Sequence, residues 1–182
     1  MGQDKALLPF LGKPLIQRVI DRVASLGDEL IITTNTPEKY LLFKVPLFQD
    51  LLPGLGALGG LYTALSVCRF PFVYVVACDM PFVNTGILIR SFEILEAENA
   101  DAVIPKTVNG FEPFHAVYRR ETCLPAIKDA LQSGEKRLIS WFSQASVVTF
   151  PETELRLHDP QGLAFMNLNT REDLENAEQL AR

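Results

Sequence analysis

The chain has no run of basic residues. Its 17 Lys and Arg are scattered among 22 Asp and Glu, for a net charge of -5. That excludes the clustered positive surface on which nucleic-acid binding depends. No apolar stretch reaches the roughly 18 residues that cross a bilayer, so no membrane partner is expected. The N-terminus carries Lys5 but no apolar segment with a small-residue cleavage site, so it does not read as a secretion signal. Cysteine is scarce: Cys68, Cys78 and Cys123 are odd in number, widely spaced and form no CxxC pair. With only His115 and His158 to help, a structural zinc is not expected; reduced, buried thiols in a cytosolic protein are. There is no low-complexity segment and no internal repeat.

What is present is ordinary globular usage, 48% hydrophobic and 21% charged over 182 residues. A chain of that length buries roughly two-thirds of its unfolded surface without a metal or disulfide staple, and the length prior gives one domain. Short apolar runs at 30–34, 45–49 and 72–77 are rich in Val, Ile and Phe and apolar on both faces, as strands covered on both sides tend to be. Helical patterns lie between them. Pro14 suits a first-turn position, Leu15, Val19, Val23 and Leu26 follow at helical spacing, and Gly27 suits a stop. Residues 56–68 read as a helix behind a Gly-rich entrance, and 85–97 as another, with Leu88, Phe92 and Leu95 on one stripe. Strands alternating with such helices predict an α/β fold with a largely parallel sheet.

The second half is less regular. Strands are expected at 102–105 and 114–118, flanking the turn dipeptide Asn109-Gly110. A helix is expected at 122–131 with Gly134 past its end, a short helix at 138–142, and strands at 147–150 and 165–168. Thr170 caps a last helix, with Asp173 in a capping-box position. A hairpin among parallel units predicts a mixed sheet with an inserted lobe. The start is unusual: an α/β sheet normally opens with a strand, and here a polar stub leads straight into residues 6–11 and a helix.

Polar groups gather where strands end. Met1-Gly2-Gln3-Asp4-Lys5 is the first such place. Gln49-Asp50 leading to Pro53-Gly54-Leu55-Gly56 and Gly59-Gly60 is the second; these glycines fit either a backbone cradle for a ligand at a helix entrance or a plain turn. Cys78-Asp79-Met80-Pro81 follows the most apolar run, at the strand end where open α/β sheets bind ligands. A carboxylate there is costly unless it is paired or coordinated, and it is the oxygen ligand a phosphate-bound metal needs.

This ordered series, from Met1-Gly2-Gln3-Asp4-Lys5 through Gly12-Lys13-Pro14-Leu15, Gln49-Asp50, Pro53-Gly54 and Cys78-Asp79-Met80-Pro81 to Asn167-Leu168-Asn169-Thr170, resembles the MobA-type molybdenum cofactor guanylyltransferases over essentially the whole chain. The resemblance implies a Rossmann-like nucleotidyltransferase fold: three layers with a mostly parallel mixed sheet, forming one domain over 1–182. It implies transfer of GMP from GTP to molybdopterin, with magnesium (Mg2+) as cofactor and pyrophosphate as product. Implied partners are GTP, molybdopterin, molybdoenzyme apoproteins and other proteins of cofactor biosynthesis. By position, Lys5 resembles the lysine on the nucleotide phosphates, Asp50 the aspartate on GTP, and Asp79 the magnesium ligand that also touches GTP. Thr33 and Asn35 occupy the nucleotide-contacting strand end, with Thr33 departing from the family's pattern there. Asn167, Asn169 and Glu112 fall on the molybdopterin side. The family opens with a strand and a loop of the form Leu-Ala-Gly-Gly-x-Ser-x-Arg before the Met-Gly-x-Asp-Lys motif, and this chain starts at that Met; the expected explanation is a start assigned at an internal methionine, the alternatives being an N-terminus removed or left out and an impaired form.

The implied chemistry needs no Ser-His-Asp constellation, because a phosphate monoester is already largely dianionic near neutral pH. His115 and His158 are accordingly expected to be structural or solvated. Rival readings are a molybdopterin cytidylyltransferase, a sugar-phosphate nucleotidyltransferase, and a non-catalytic nucleotide- or molybdopterin-binding partner.

Overall fold

A computed structural model describes residues 4–181 of the chain; Met1, Gly2 and Gln3 of the opening motif lie outside the described residues. A 3-10 turn at Lys5–Leu7 leads into a hairpin of β1 (Pro9–Phe10) and β2 (Lys13–Pro14). Its two central residues, Leu11 and Gly12, both have positive φ, 47° and 80°, the requirement of a type I′ turn. Arg18 clamps the hairpin, with Nε donating to Phe10 O at 2.9 Å and Nη2 to Leu11 O at 3.1 Å. Pro14 therefore ends a strand and caps α1 (Leu15–Val23) instead of opening the helix. The helix also stops at Val23, short of Gly27, where Leu26 N–H closes a tight turn onto Val23 O.

β3 (Ile32–Thr33) and β4 (Leu47–Phe48) pair in parallel but are shorter than their apolar runs, and two 3-10 turns connect them. Then come α2 (Gly56–Val67), β5 (Phe72–Val76) and α3 (Thr85–Ala97), whose N-cap Asn84 accepts from Ile87 N–H. The remaining elements are β6 (Ala102–Ile104), β7 (Lys106–Thr107), β8 (Gly110–Phe111), β9 (His115–Arg119), α4 (Arg120–Gln132), β10 (Val147–Thr149), α5 (Glu152–His158) and α6 (Arg171–Leu180).

The main sheet has the order β10-β6-β9-β5, with β9 antiparallel to both neighbours and β10 parallel to β6. It is a mixed sheet in three layers. Strand alternation divides its side chains: Ala102, Ile104, Ala116 and Tyr118 pack with Leu58, Leu61 and Leu65 of α2, Ile127 of α4 and Trp141. Val103 and Val117 point the other way, onto Ile87 and Leu95 of α3 and onto Phe150.

Several expectations are corrected. The tight turn falls on Val108-Asn109, because Thr107 pairs with Gly110; Gly110, at φ 122°, belongs to the strand. The hairpin is the small β7–β8 pair, while the flanking runs become neighbours in the main sheet. Residues 165–168 form no strand: Leu168 N–H is taken by Asp79 O at 3.1 Å, a single cross-link in place of a ladder. The short helix expected at 138–142 is a turn followed by a 3-10 turn at Phe142–Gln144. Cys68 and Cys123 are buried free thiols as expected, but Cys78 is exposed. No helix among the described residues is long and apolar enough to cross a membrane.

Candidate functional site

The ends of β3, β4 and β5 gather most of the polar residues singled out above. β5 is apolar to its last residue, and the chain then turns at Cys78-Asp79, so the first carboxylate sits where the strand leaves the sheet. Asp79 is half-buried, and that burial pushes its carboxyl above the usual carboxylate range, with the Lys5 ammonium acting in the opposite direction. Lys5 is held across the site: its Nζ donates to Asn169 Oδ1 at 2.9 Å.

The late asparagines come to this place by the Leu168–Asp79 cross-link. Asn169 is fixed further by Asp173, whose carboxylate accepts the Asn169 N–H at 2.9 Å and the Thr170 N–H at 2.7 Å. The contacts with Thr170, its hydroxyl first, do most to hold the Asp173 carboxyl below its usual range. The same residue completes the capping box of α6, so helix capping and the placing of Asn169 use one side chain. Asn167 lines the adjoining cavity with Asp79.

On the other side, Asn35 and Asp50 bridge the ends of β3 and β4. Asn35 Nδ2 donates to Asp50 Oδ2 at 2.7 Å, and Asp50 N–H donates to Asn35 Oδ1 at 3.3 Å. The loop after Asp50 is anchored where Leu51 N–H meets the buried Thr63 Oγ1 at 3.0 Å. Gly54 and Gly56, at φ 81° and 60°, take conformations that only glycine adopts easily, so the turn into α2 by itself accounts for them. Thr33 lines the cavity beside the same strand end. Glu112 is placed apart from this cluster, in the β8–β9 loop. Its Oε1 accepts from the Thr107 hydroxyl at 3.0 Å, and burial pushes its carboxyl upward.

Three residues that motif reading passed over belong here. The Tyr40 hydroxyl meets Asp4 and Thr34, and burial together with Asp4 raises its pKa; Asp4 stood in plain view inside the opening motif. Asp173 was visible as a cap, but its bond to Asn169 depends on a strap that no local pattern encodes.

No cluster of three or more His, Cys, Asp or Glu able to cage a metal occurs among the described residues. One half-buried, under-neutralised carboxylate does suit Mg2+, which is commonly held by one or two carboxylates plus substrate phosphates. The residues thus fit a metal that arrives with a nucleotide.

A mixed three-layer α/β fold with carboxylates and a lysine at the strand ends has the layout of an α/β enzyme that binds its ligand where the strands finish. The fold is shared with 2-C-methyl-D-erythritol 4-phosphate cytidylyltransferase from Thermus thermophilus, at a TM-score of 0.71 and 17% identity over 98% of this chain and 94% of that one. A solved molybdopterin-guanine dinucleotide biosynthesis protein A from Archaeoglobus fulgidus is more similar, with a TM-score of 0.84 and 27% identity, covering 99% of this chain and 91% of that one. The molybdenum cofactor guanylyltransferase of Desulfosudis oleivorans is 34% identical over 97% of this chain and 87% of its own length. That of Syntrophotalea carbinolica is 33% identical over 96% and 83%. Residues 1–147 match the MobA-like NTP transferase domain; the chain belongs to that family.

Proposed function

We propose that this protein transfers GMP from GTP to molybdopterin, forming the guanine dinucleotide form of the molybdenum cofactor and releasing pyrophosphate. The observation that carries the reading is its likeness, over 97% of the chain, to a protein named molybdenum cofactor guanylyltransferase. The Lys5–Asn169–Asp79 grouping at a strand end supports it.

The attacking atom is an oxygen of the terminal phosphate of molybdopterin, which needs no protein base because the monoester is already largely ionised. The obstacle is the approach of one anion to another at the α-phosphorus, so positioning and charge neutralisation dominate. Lys5, braced by Asn169, holds its ammonium against the phosphates. Two unit charges about 4 Å apart interact by about 4 kcal/mol at an effective dielectric near 20; expressed only in the transition state, that is about a thousandfold in rate. Asp79, with Asn167 nearby, would hold Mg2+, which when bound neutralises phosphate charge and orients the leaving pyrophosphate. Asn35 and Asp50 face the nucleotide from the β3–β4 side, with Thr33 contributing backbone there. Glu112 stands toward the molybdopterin side. The free thiols suit a reducing, cytosolic setting.

The test is a competition between GTP and CTP with molybdopterin as acceptor, read by mass spectrometry of the dinucleotide. GMP incorporation is expected. Preferential CMP incorporation would assign the sister activity, and binding of nucleotide without transfer of either would assign a non-catalytic carrier.

A further inference from the structure

Between β3 and β4 the chain makes two 3-10 turns, Pro37–Lys39 and Leu41–Phe43, with Tyr40 at their junction. Burial there runs against hydrophobicity. Leu41 and Leu42 are 68% and 66% exposed, while Tyr40 is 5% exposed. A leucine or phenylalanine would serve a position that needed only apolar bulk; a buried tyrosine also carries a hydroxyl that must find partners. The backbone of Tyr40 is fixed on both sides. Its N–H donates to Pro37 O at 2.9 Å, and its carbonyl accepts the Phe43 N–H at 3.1 Å.

The side chain meets the first turn of the chain. Its ring shares a buried cluster with Ala6 and Ile16. Its hydroxyl donates to the Asp4 carboxylate and accepts from the Thr34 hydroxyl; burial, then Asp4, push the phenol pKa up, and Thr34 pulls the other way. Thr34 Oγ1 in turn accepts the Thr36 N–H at 3.2 Å. The bonds run in one direction, from Thr36 N–H through the Thr34 and Tyr40 hydroxyls to Asp4, so each donor polarises the next.

Both neighbours of Lys5 thus meet one residue: Asp4 meets the hydroxyl, and Ala6, 1% exposed, meets the ring. Leu7 N–H closes the turn on Asp4 O at 3.1 Å. Lys5 itself has a flexible four-carbon stem, with Asn169 at its tip. At the other end of the relay, Thr34 precedes Asn35, which bonds Asp50.

We propose that Tyr40 is the positioning residue of Lys5: it sets the root of that side chain against the end of β3, so that the ammonium, steadied at its tip by Asn169, meets phosphate at a fixed place. The proposal rests on Lys5 being the lysine that contacts phosphate. Tyr40 touches no reacting atom, and its effect on phosphate passes through Lys5. Its hydroxyl therefore matters to phosphate only while Lys5 is present. Its contribution to stability, made through Asp4 and Thr34, is the same with or without the lysine.

Tyr40→Phe keeps the ring and removes the hydroxyl. It is measured alone and combined with Lys5→Met, as a double-mutant cycle. The readouts are affinity for magnesium tripolyphosphate by calorimetry, kcat/KM for GTP, and the midpoint of denaturant unfolding. With Lys5 present, Tyr40→Phe should weaken tripolyphosphate binding and lower kcat/KM by about tenfold each, since a misplacement of about 1 Å can cost about a hundredfold. In the Lys5→Met background both effects should shrink below about twofold, while the unfolding midpoint falls by the same amount in both backgrounds. Asp4→Ala, which removes the acceptor, should reproduce the loss, and combining it with Tyr40→Phe should add nothing to either alone. Equal losses of binding and turnover in both backgrounds would make Tyr40 a packing residue and overturn the proposal, as would undiminished tripolyphosphate binding by Tyr40→Phe. The binding arm needs no transfer. A wild-type chain that makes no dinucleotide, while the binding cycle stays coupled, would overturn the transferase reading and uphold the role of Tyr40.

Discussion

His115 offers the clearest test of how the core is wired. It is 0% exposed in β9, its Nε2 accepts the Asn84 N–H at 3.0 Å, and its Nδ1 has no partner. Accepting at Nε2 places the proton on Nδ1, so the ring is neutral and the Nδ1–H is a buried donor without an acceptor. Burial pushes its pKa down from 6.5 to about 4, against smaller upward pulls from its own backbone and from Asp159. Because the folded pKa lies below the unfolded one, the unfolded chain binds the proton more readily between these values. The stability tied to the neutral ring is therefore intact above pH 6.5, falls as pH drops toward about 4, and falls no further below that.

Integrated from about pH 7 to about pH 5, the loss is about 2 kcal/mol. For a protein of this size that is a fall of about 4–8 °C in melting temperature. Asp21, Glu29, Glu154 and Asp173 are held below their usual range by their hydrogen-bond partners and contribute mainly at lower pH. Asp79 and Glu112, raised by burial, act in the opposite sense.

His115→Phe keeps the volume, deletes both the titration and the orphaned donor, and costs about 1–3 kcal/mol near neutral pH for the unaccepted Asn84 amide. Chemical denaturation of both proteins across this pH range checks the difference: the wild type should lose about 2 kcal/mol more than the variant on acidification. If His115→Phe fails to fold, His115→Gln retains an acceptor without a titration. An equal pH slope in wild type and variant would show that His115 is not the group responsible.

The other expectations concern the site. Asp79→Asn should lower transfer at least about a hundredfold while leaving the melting temperature unchanged or slightly raised, since the native carboxyl is disfavoured by burial; near-wild-type turnover at low magnesium would remove Asp79 from the mechanism. Lys5→Met should reduce kcat/KM by about a hundred- to a thousandfold with the fold retained by circular dichroism, and an effect under about threefold would remove Lys5 from phosphate contact. Asp173→Ala, which breaks the α6 capping box and frees Asn169, should cost about 1 kcal/mol of stability in denaturant titration and raise KM for the nucleotide.

Much of the first half was legible because apolar runs and carboxylates alternate there with little interference. The residues 72–77 run announced β5, and the first charge after it, Asp79, lies where a strand must leave the sheet. Helix 85–97 was legible to the residue from its Leu88, Phe92 and Leu95 stripe, and the structure adds Asn84 as the local cap that starts it. What escaped was set by contacts distant in sequence. Pro14 was drawn out of the helix by its pairing with Pro9 across a turn that Arg18 clamps. The 165–168 segment has strand-like composition, yet it bonds Asp79 O instead of a neighbouring strand. α5 carries acidic residues in its first turn and basic ones in its last, a pattern favourable to the helix dipole, but its seven residues are too few for a hydrophobic period to stand out.

The same long-range closure explains why the site's parts are so far apart in sequence. Lys5 reaches Asn169, and Leu11 N–H reaches Glu178 Oε1 at 2.9 Å, so the first turn of the chain and its last helix bind each other across the end of β5. Phe10, Leu15, Leu168 and Ala177 share one buried cluster beneath these bonds, and burial of that apolar surface supplies the stability that the exposed polar contacts alone would not. Shortening α6 should therefore weaken nucleotide binding before it unfolds the main sheet: the sheet core rests on α2, α3 and α4, while Asn169, the partner of Lys5, would lose its Asp173 anchor and the apolar packing that Ala177 supplies beneath. Deleting residues 171–182 and measuring GTP affinity beside far-ultraviolet circular dichroism separates the two effects. Affinity and secondary structure lost together would show that the last helix supports the whole fold and has no particular hold on the site.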